Sequence, residues 1–213
     1  MCWNADISIN TFLFSCFSLI FIFVTNRFTR YKTPFFDNPL MYLFFFALAS
    51  MQWVEHLLWN HLNDTSANIK LSKLLSVVVM IQPLFLVLMI PTMLSRYIML
   101  FLYAVYIIFY FKDSKNYYTS VAGNGHLRWG FMDYKGYEYI WVFVFLLFYF
   151  IPLFQLKHMG LTLFLLLLTV LSLVFYFKHH TFGTMWCWAT NVALLYFLID
   201  ILLIQPYLNH SIC

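Results

Sequence analysis

The sequence predicts an all-α polytopic membrane protein, a bundle of seven transmembrane helices that form a single domain. Its 213 residues are 63% hydrophobic and 9% charged, whereas soluble domains are about half apolar and a quarter charged. The mean hydropathy of +0.81 is also that of a membrane protein. Apolar runs close to the roughly 20 residues that a span requires recur along the chain, with short joints between them. The predicted spans are 7–25, 40–62, 74–93, 97–111, 140–156, 161–177 and 185–208.

The first span has no cleavable signal before it, because residues 1–6 lack a basic region and a small-residue cleavage site. We therefore expect this span to be retained. Arg27, Arg30 and Lys32 follow it, whereas only Asp6 precedes it. Basic residues favour the cytoplasmic side, so the imbalance predicts an N-terminus outside or in a lumen and a cytoplasmic C-terminus. Over the whole chain, the basic residues are distributed in the opposite sense.

The second and third spans flank a polar segment, residues 63–73. Pro39 lies at the first turn of the second span, where its missing N–H is harmless. Asn63 begins an Asn-Asp-Thr sequon, which can be glycosylated only on the lumenal side. A second sequon, at Asn209, would lie on the opposite side of a seven-span protein. Pro83 lies inside the third span, where it predicts a kink.

The largest extramembrane segment, residues 112–139, separates the fourth and fifth spans. Within it, β-favouring residues flank the Gly-Asn-Gly sequence at 123–125, a turn that tolerates positive φ, and this pattern predicts a short hairpin. All six glycines lie between the predicted spans, so helix packing on glycine is not expected. The formal net charge of +4 is scattered over the loops, which gives no basis for nucleic-acid binding.

One face of the second span is polar in the middle of an apolar run. Its members, spaced at i, i+3, i+4, i+7 and i+8, are Gln52, Glu55, His56, Trp59 and Asn60. An ionisable side chain inside a membrane costs at least a few kcal/mol unless it is paired or hydrated. This face should therefore point into the bundle, with Glu55 deep enough to be desolvated.

The seventh span offers polar partners at matching depth. Cys187 and Asn191 lie one turn apart near its start, and Asp200 is a second buried carboxylate further along. Our leading hypothesis is a site in the outer half of the bundle that binds or carries a small solute or lipid, with Glu55 as its ionisable centre. The predicted contact residues are Gln52, His56, Trp59 and Asn191. Glu55 and Asp200 would mark the two ends of a polar path, as carboxylates do in proton-coupled carriers.

A second hypothesis, from a different class, is a metal-assisted intramembrane hydrolase. Its zinc ligands would be Glu55, His56, His179 and Cys187, because carboxylate, imidazole and thiolate groups bind zinc. No HExxH or CxxC motif is present, and the adjacent Glu55 and His56 diverge by about 100° on a helix. A buried Glu–His or Glu–Asn hydrogen-bond network that only holds helices together is the structural alternative. The sequence favours a protein without catalytic activity and leaves the choice open.

Two further features bear on other roles. Cys2 and Cys187 would both face an oxidising compartment under this topology, where they could form a disulfide. The predicted hairpin, which carries His126 and Trp129, could dock a partner protein, and this is the third hypothesis, a structural membrane protein. The lipid bilayer is the partner that the composition itself requires.

Several families invite comparison at particular motifs. No lysine lies within the seventh span to form a Schiff base, so the sequence argues against a retinal pigment. Residues 81–85 (IQPLF) echo residues 204–208 (IQPYL). The chain is similar in size to SWEET sugar transporters and the KDEL receptor, whose three-plus-one-plus-three organisation implies such a repeat. Alkaline ceramidases also combine seven spans with Glu, Ser, Asp and His around zinc, but His179 and His180 do not reproduce their final-helix histidine spacing.

Three short motifs provide a further resemblance. They are MCWN at residues 1–4, GHLRW at residues 125–129 and WCW at residues 186–188. At these motifs the chain resembles an uncharacterised multi-pass family of large DNA viruses and protists. The resemblance implies a multi-pass membrane location and brings no known activity.

Overall fold

The computed structural model describes residues 4–113, 116–132 and 138–210. Within these ranges the chain forms an all-α bundle with one two-stranded hairpin, so the predicted fold class is confirmed. The helices are α1 (Ala5–Phe28), α2 (Pro39–Asn60), α3 (Thr65–Leu88), α4 (Met93–Asp113), α5 (Glu138–Gln155), α6 (Met159–Tyr176), α7 (Phe182–Ile199) and α8 (Gln205–His210). A π-helical turn (Asp200–Ile204) joins α7 to α8. The hairpin consists of β1 (Thr119–Val121) and β2 (Leu127–Trp129).

The helices have the length and surface of membrane spans. Six helical segments in the described part of the chain are long and apolar enough to cross a membrane, and α5 is a shorter apolar helix. Large hydrophobic side chains such as Phe17, Phe101 and Leu163 are exposed on their outer surfaces. Only a lipid environment makes such a surface favourable, and helices satisfy their backbone hydrogen bonds within it. The chain is therefore an integral membrane protein.

Six of the helices form a ring, in the order α1, α2, α3, α5, α6 and α7, which closes because α7 contacts α1. Helix α2 also contacts α7, whereas α4 lies outside the ring against α3. The rings of Tyr103 and Tyr106 on α4 pack against Phe148 of α5. Apart from α6, these helices contribute buried apolar side chains to one hydrophobic core, against which α6 packs partly buried leucines such as Leu165 and Leu173.

The two ends of the bundle are distinguished by their connections. At one end, called the hairpin end, the Tyr118 hydroxyl donates to Leu62 O between α2 and α3 at 3.2 Å. The α1–α2 and α5–α6 connections meet at the opposite end, where the rings of Phe35 and His158 are 4.8 Å apart. Lys157 has a φ of 60° in the tight turn between α5 and α6.

Helix α3 begins at Thr65 rather than at Leu74, so the predicted polar segment is mostly helical. The Asp64 carboxylate caps this helix by accepting the backbone N–H groups of Ser66 and Ala67, each at 3.0 Å. Two of its polar residues, Asn68 and Ser72, are buried under the hairpin, whereas Thr65, Ser66, Lys70 and Lys73 are exposed. Asn68 donates to Thr119 O and accepts from Thr119 N, both at 2.9 Å. The hydroxyls of Ser72 and Thr119 are hydrogen-bonded at 2.7 Å. Asn68 and Ser72, which suggested a loop, are thus the hydrogen-bonding partners of β1.

The α3–α4 connection also differs from its predicted position, because α3 ends at Leu88 and α4 begins at Met93. Arg96 closes this turn: its Nε and Nη2 donate to Ile90 O at 2.9 and 2.6 Å. A cation is favourable at the carbonyl end of a helix. Pro83 lies inside α3 as predicted. The Tyr103 hydroxyl donates to Met80 O, one turn before the proline.

The hairpin packs onto the bundle. Asn124 Nδ2 donates to Thr181 Oγ1 at 2.9 Å, and Trp129 is 2% exposed, with its ring over Gly183. Gly183 lies in the first turn of α7, not between spans as predicted, and a Cβ there would overlap the Trp129 ring. His126 is also buried, which lowers the pKa of its imidazole. The side chains of His126 and Trp129 therefore contact the protein's own bundle.

The first prediction concerns this contact. Replacement of Gly183 by Ala should displace Trp129 and lower the free energy of unfolding by about 1–3 kcal/mol, the usual cost of overpacking a buried contact. Thermal unfolding in detergent, followed by tryptophan fluorescence, measures the effect. Gly123→Ala is the matched control, because a Cβ at Gly123 meets no atom within 4 Å. Equal midpoints for the two variants would show that the hairpin does not depend on this contact.

Candidate functional site

The backbone carbonyl of Cys187 joins two helices. The side-chain amide of Gln52 on α2 donates to it at 2.9 Å. The amide of Asn191, one turn further along α7, donates to the same oxygen at 3.1 Å. Gln52 is fully buried and Asn191 is nearly so. A hydrogen bond between side chain and backbone thus links α2 to α7 inside the membrane.

Helix α1 joins this cluster through a residue that sequence reasoning did not select. Ser15 Oγ donates to Asn191 Oδ1 at 3.1 Å. Ser8, Ser15 and Ser18 are all fully buried. Their spacing of seven and three residues places them on one helical face. This small polar face was the available sequence signal for the side of α1 that packs inward.

Glu55 lies one turn from Gln52 on the same inward face of α2 and is fully buried. Its Oε2 accepts a hydrogen bond from the Cys187 thiol, with the oxygen and sulfur 3.7 Å apart. Cys187 therefore contacts α2 through both its side chain and its carbonyl. We use the name Cys187 cluster for Ser15, Gln52, Glu55, Cys187 and Asn191.

His56, which was predicted to line the same site, bonds elsewhere, whereas Trp59 lies one turn after Glu55 on α2. His56 Nδ1 hydrogen-bonds to Ala5 O at 2.9 Å, so this imidazole ties α2 to the start of α1. Asn60 Nδ2 lies 3.3 Å from His56 Nε2. Trp59 is half-buried, and its indole N–H has no hydrogen-bond partner among the described residues. The 100° step between neighbouring helical residues separates His56 from Glu55.

Two polar atoms near the Cys187 cluster lack partners within the described structure. They are the side-chain oxygen of Gln52 and the hydroxyl of Thr190, and both residues are at most 2% exposed. A void of about 20 Å³ adjoins Thr190, which is room for about one water molecule. Buried polar atoms without partners are uncommon and indicate an unfilled hydrogen-bonding site. The Gln52 oxygen can only accept, so its partner must be a donor.

The predicted zinc ligands are not brought together. In the described ranges, no group of three or more His, Cys, Asp or Glu side chains is arranged to hold a metal ion. Glu55 and Cys187 are in contact, but His56 faces α1 and His179 is exposed at the end of α6. The predicted Cys2–Cys187 disulfide involves Cys2, which lies outside the described residues.

Aromatic side chains cover the Cys187 cluster on both sides along the bundle axis. Towards the hairpin end, Trp129 covers Gly183, one turn before Cys187. Towards the opposite end lies the phenylalanine cluster, which consists of Phe35, Phe36, Phe45 and Phe197. Its ring centroids lie 5.3 Å apart for Phe36 and Phe45 and 5.4 Å apart for Phe35 and Phe197. Along α2 and α7 it is about two turns, or about 10 Å, from the Cys187 cluster.

Asp200, the second predicted carboxylate, lies beyond the phenylalanine cluster. It is half-buried at the first position of the π-helical turn. Its Oδ2 accepts from Gln205 Nε2 at 2.7 Å, and the same nitrogen donates to Lys32 O at 2.9 Å. A cavity of about 440 Å³ at this end is lined by Phe35, His158 and Phe197, among others. The phenylalanine cluster therefore separates Glu55 from Asp200 in this conformation.

Comparison of the chain with protein-family models, with curated proteins and with solved structures found no match. The predicted resemblance to the multi-pass family of large DNA viruses and protists stays a prediction. Function is therefore argued from the arrangement of this chain's own residues.

The second prediction tests the link between α1 and α7. Asn191→Leu keeps a similar size but removes the bonds to Ser15 and to Cys187 O. We expect a loss of about 0.6 kcal/mol for the interhelical bond to Ser15, the mean value inside membranes, because the bond to Cys187 O lies within α7. Thermal unfolding of the purified protein in detergent measures it. Asn10→Leu on the exposed surface of α1 serves as the control and should leave the midpoint unchanged. An Asn191→Leu protein as stable as the parent would remove Asn191 from the cluster.

Proposed function

We propose that the protein binds and carries a small polar solute through the bundle, with Glu55 as the proton-binding group of an occluded site. The observation that carries this proposal is the complete burial of Glu55 in a membrane-spanning helix, in contact with Cys187. An ionisable residue in such a position marks a substrate or ion pathway more often than a purely structural contact.

Glu55 is enclosed by the helices of the Cys187 cluster, where its Oε2 accepts from the thiol of Cys187. Carboxyl groups inside membrane helices carry protons in pumps and transporters. In this proposal, opening of the site to water lets the Glu55 carboxyl exchange its proton. Proton binding is thereby linked to the opening and closing of the site.

The unpartnered atoms define the chemistry of the solute. The Gln52 side-chain oxygen needs a donor, and the Thr190 hydroxyl can bond either a donor or an acceptor. A solute with hydroxyl or amino groups meets both requirements. The void beside Thr190 holds about one water molecule and is lined by no member of the Cys187 cluster, so a solute would reach Gln52 only when the helices separate.

Transport requires that the two aromatic covers open in turn. Movement of Trp129 away from Gly183 would expose the Cys187 cluster at the hairpin end. Separation of the phenylalanine cluster would expose it towards Asp200 at the other end. The described conformation, with both covers in place, corresponds to the occluded state of such a carrier.

The third prediction is that solute movement carries protons. Purified protein is reconstituted in liposomes that enclose a pH-sensitive dye, and hexoses, neutral amino acids and primary alkylamines are added in turn. One of these classes should change the internal pH, and Glu55→Gln should slow that change at least tenfold because its side chain cannot release a proton.

Asp37→Asn is the matched control, because Asp37 is an exposed acidic residue in the α1–α2 connection. It should retain the proton movement of the parent. A response that persists in Glu55→Gln, or the absence of a response to all three solute classes, would overturn the proposal.

We also propose that α1 to α7 all cross the membrane, with the N-terminus and the hairpin end outside or in a lumen. The basic residues after α1 support this orientation. Asn63 is exposed at the hairpin end, and its sequon would then be available for modification.

The fourth prediction follows from this orientation. Expression in a glycosylating membrane system should give a glycan at Asn63, detected as a mobility shift that an endoglycosidase reverses. Asn63→Gln should abolish the shift, whereas Asn209→Gln should retain it. A shift that depends on Asn209 would invert the orientation.

A further inference from the structure

A groove opens between α5 and α6 at the hairpin end, on the outer surface of the bundle. Its volume is about 800 Å³, which lies within the range of about 300–1,000 Å³ that is usual for ligand sites. Its walls include Ile140, Phe143 and Leu146 from α5 and Leu173 and Val174 from α6. None of these residues belongs to the Cys187 cluster.

The connections of α5 and α6 account for the groove. At the opposite end a tight turn at Lys157 holds the two helices together. At the hairpin end no direct connection joins them, because α5 follows the hairpin and α6 leads into α7. At the rim of the gap the rings of Tyr139 and Phe177 stack, with their centroids 4.5 Å apart.

The groove is open to the bilayer rather than to other helices of the chain. Ile140, Phe143 and Val174 are 60%, 62% and 71% exposed. Helix α6 is the least covered of the six long spans, with 11% of its apolar window buried. Acyl chains fill an apolar groove at membrane depth, because water there would find no hydrogen-bond partners on the apolar walls.

Among the described residues that line the groove, Lys178 is the cation at its hairpin end. Lys178 follows α6 in the short turn Phe177–His179 and lines the groove beside Phe177. It is exposed, and it lies where the apolar span ends. An ammonium group at this depth is at the level of lipid headgroups, where it attracts anionic lipids. Tyr139 adds a phenol at the same level, as is usual for interfacial aromatic residues.

We propose that the α5–α6 groove is a binding site for an anionic phospholipid, whose acyl chain fills the apolar groove and whose phosphate pairs with Lys178. The site is separate from the Cys187 cluster and does not depend on the proposed transport. The apolar walls bind the acyl chain of any phospholipid, whereas Lys178 favours lipids with a negative headgroup. Binding of this lipid covers apolar surface of α6 that the other helices leave exposed.

The fifth prediction separates the contribution of Lys178 to lipid binding from that of the apolar walls. Delipidated protein in a mild detergent is titrated with phosphatidylglycerol and phosphatidylcholine of identical chains, and the bound lipids are counted by native mass spectrometry. The parent should bind phosphatidylglycerol more tightly. Lys178→Gln should weaken phosphatidylglycerol binding about fivefold, the effect of one basic residue near a charged headgroup, and leave phosphatidylcholine binding unchanged.

A second variant tests the groove itself. Val174→Trp should fill the groove and reduce the binding of both lipids, whereas Val170→Trp, one turn earlier on the exposed surface of α6, should bind them as the parent does. Lys112→Gln, at the hairpin end of α4 and outside the groove, is the control for charge. Thermal midpoints close to that of the parent verify that each variant is folded.

Three outcomes would overturn the proposal. The first is unchanged phosphatidylglycerol binding in Lys178→Gln. The second is an equal loss in Lys112→Gln, which would indicate general attraction to the protein's basic residues. The third is a dimer that Val174→Trp dissociates while lipid binding persists, because the groove would then be occupied by a second copy of the chain.

Discussion

Hydrogen bonds join helices α1, α2 and α7 at two groups, the backbone carbonyl of Cys187 and the side-chain amide of Asn191. The carbonyl oxygen accepts from Gln52 and Asn191, and Asn191 accepts in turn from Ser15. In a bilayer no water competes for these groups, so each must find its partner inside the protein. The positions of α1, α2 and α7 follow from this requirement, because a shift of any one of them would leave a buried amide or hydroxyl without a partner. The Glu55 carboxyl is held in the same contact, through the thiol of Cys187.

Close approach of these helices depends on small side chains other than glycine. Ser15 and Ser18 on α1, Ala49 on α2 and Ala193 on α7 are all completely buried. Small residues let membrane helices approach closely, and the serine hydroxyls add hydrogen bonds where the helices touch. Bulky rings are placed instead at the ends of the contact, as Trp129 and the phenylalanine cluster. Small and polar side chains thus occupy the middle of the contact between the helices, and large aromatic rings occupy its two ends. This arrangement suits a site that is closed at both ends.

The sequence predicted the helices and the inward position of Gln52 and Glu55, because hydropathy and a 3.6-residue period determine both. It did not predict the start of α3. Asn68 is typical of a loop, and its hydrogen-bond partner Thr119 lies 51 positions away in the sequence. Ser15 was missed although the Ser8, Ser15 and Ser18 face marks the inward side of α1, because its partner Asn191 lies 176 positions away in the sequence. His56 was assigned to the Glu55 site because the two residues share a broad face of α2, but the imidazole of His56 hydrogen-bonds to Ala5 O. Contacts between distant segments decide these details.

The length of α1 and α3 has a consequence for the surrounding bilayer. Each of these helices has 24 residues, which at 1.5 Å per residue is about 36 Å, whereas the hydrocarbon core is about 30 Å thick. Both helices must therefore tilt or protrude from the core. A thicker bilayer would reduce this mismatch and let them stand more upright. Helix α2 lies between α1 and α3 in the ring, so membrane thickness would act through their tilt on the side of the bundle that carries Ser15, Gln52 and Glu55.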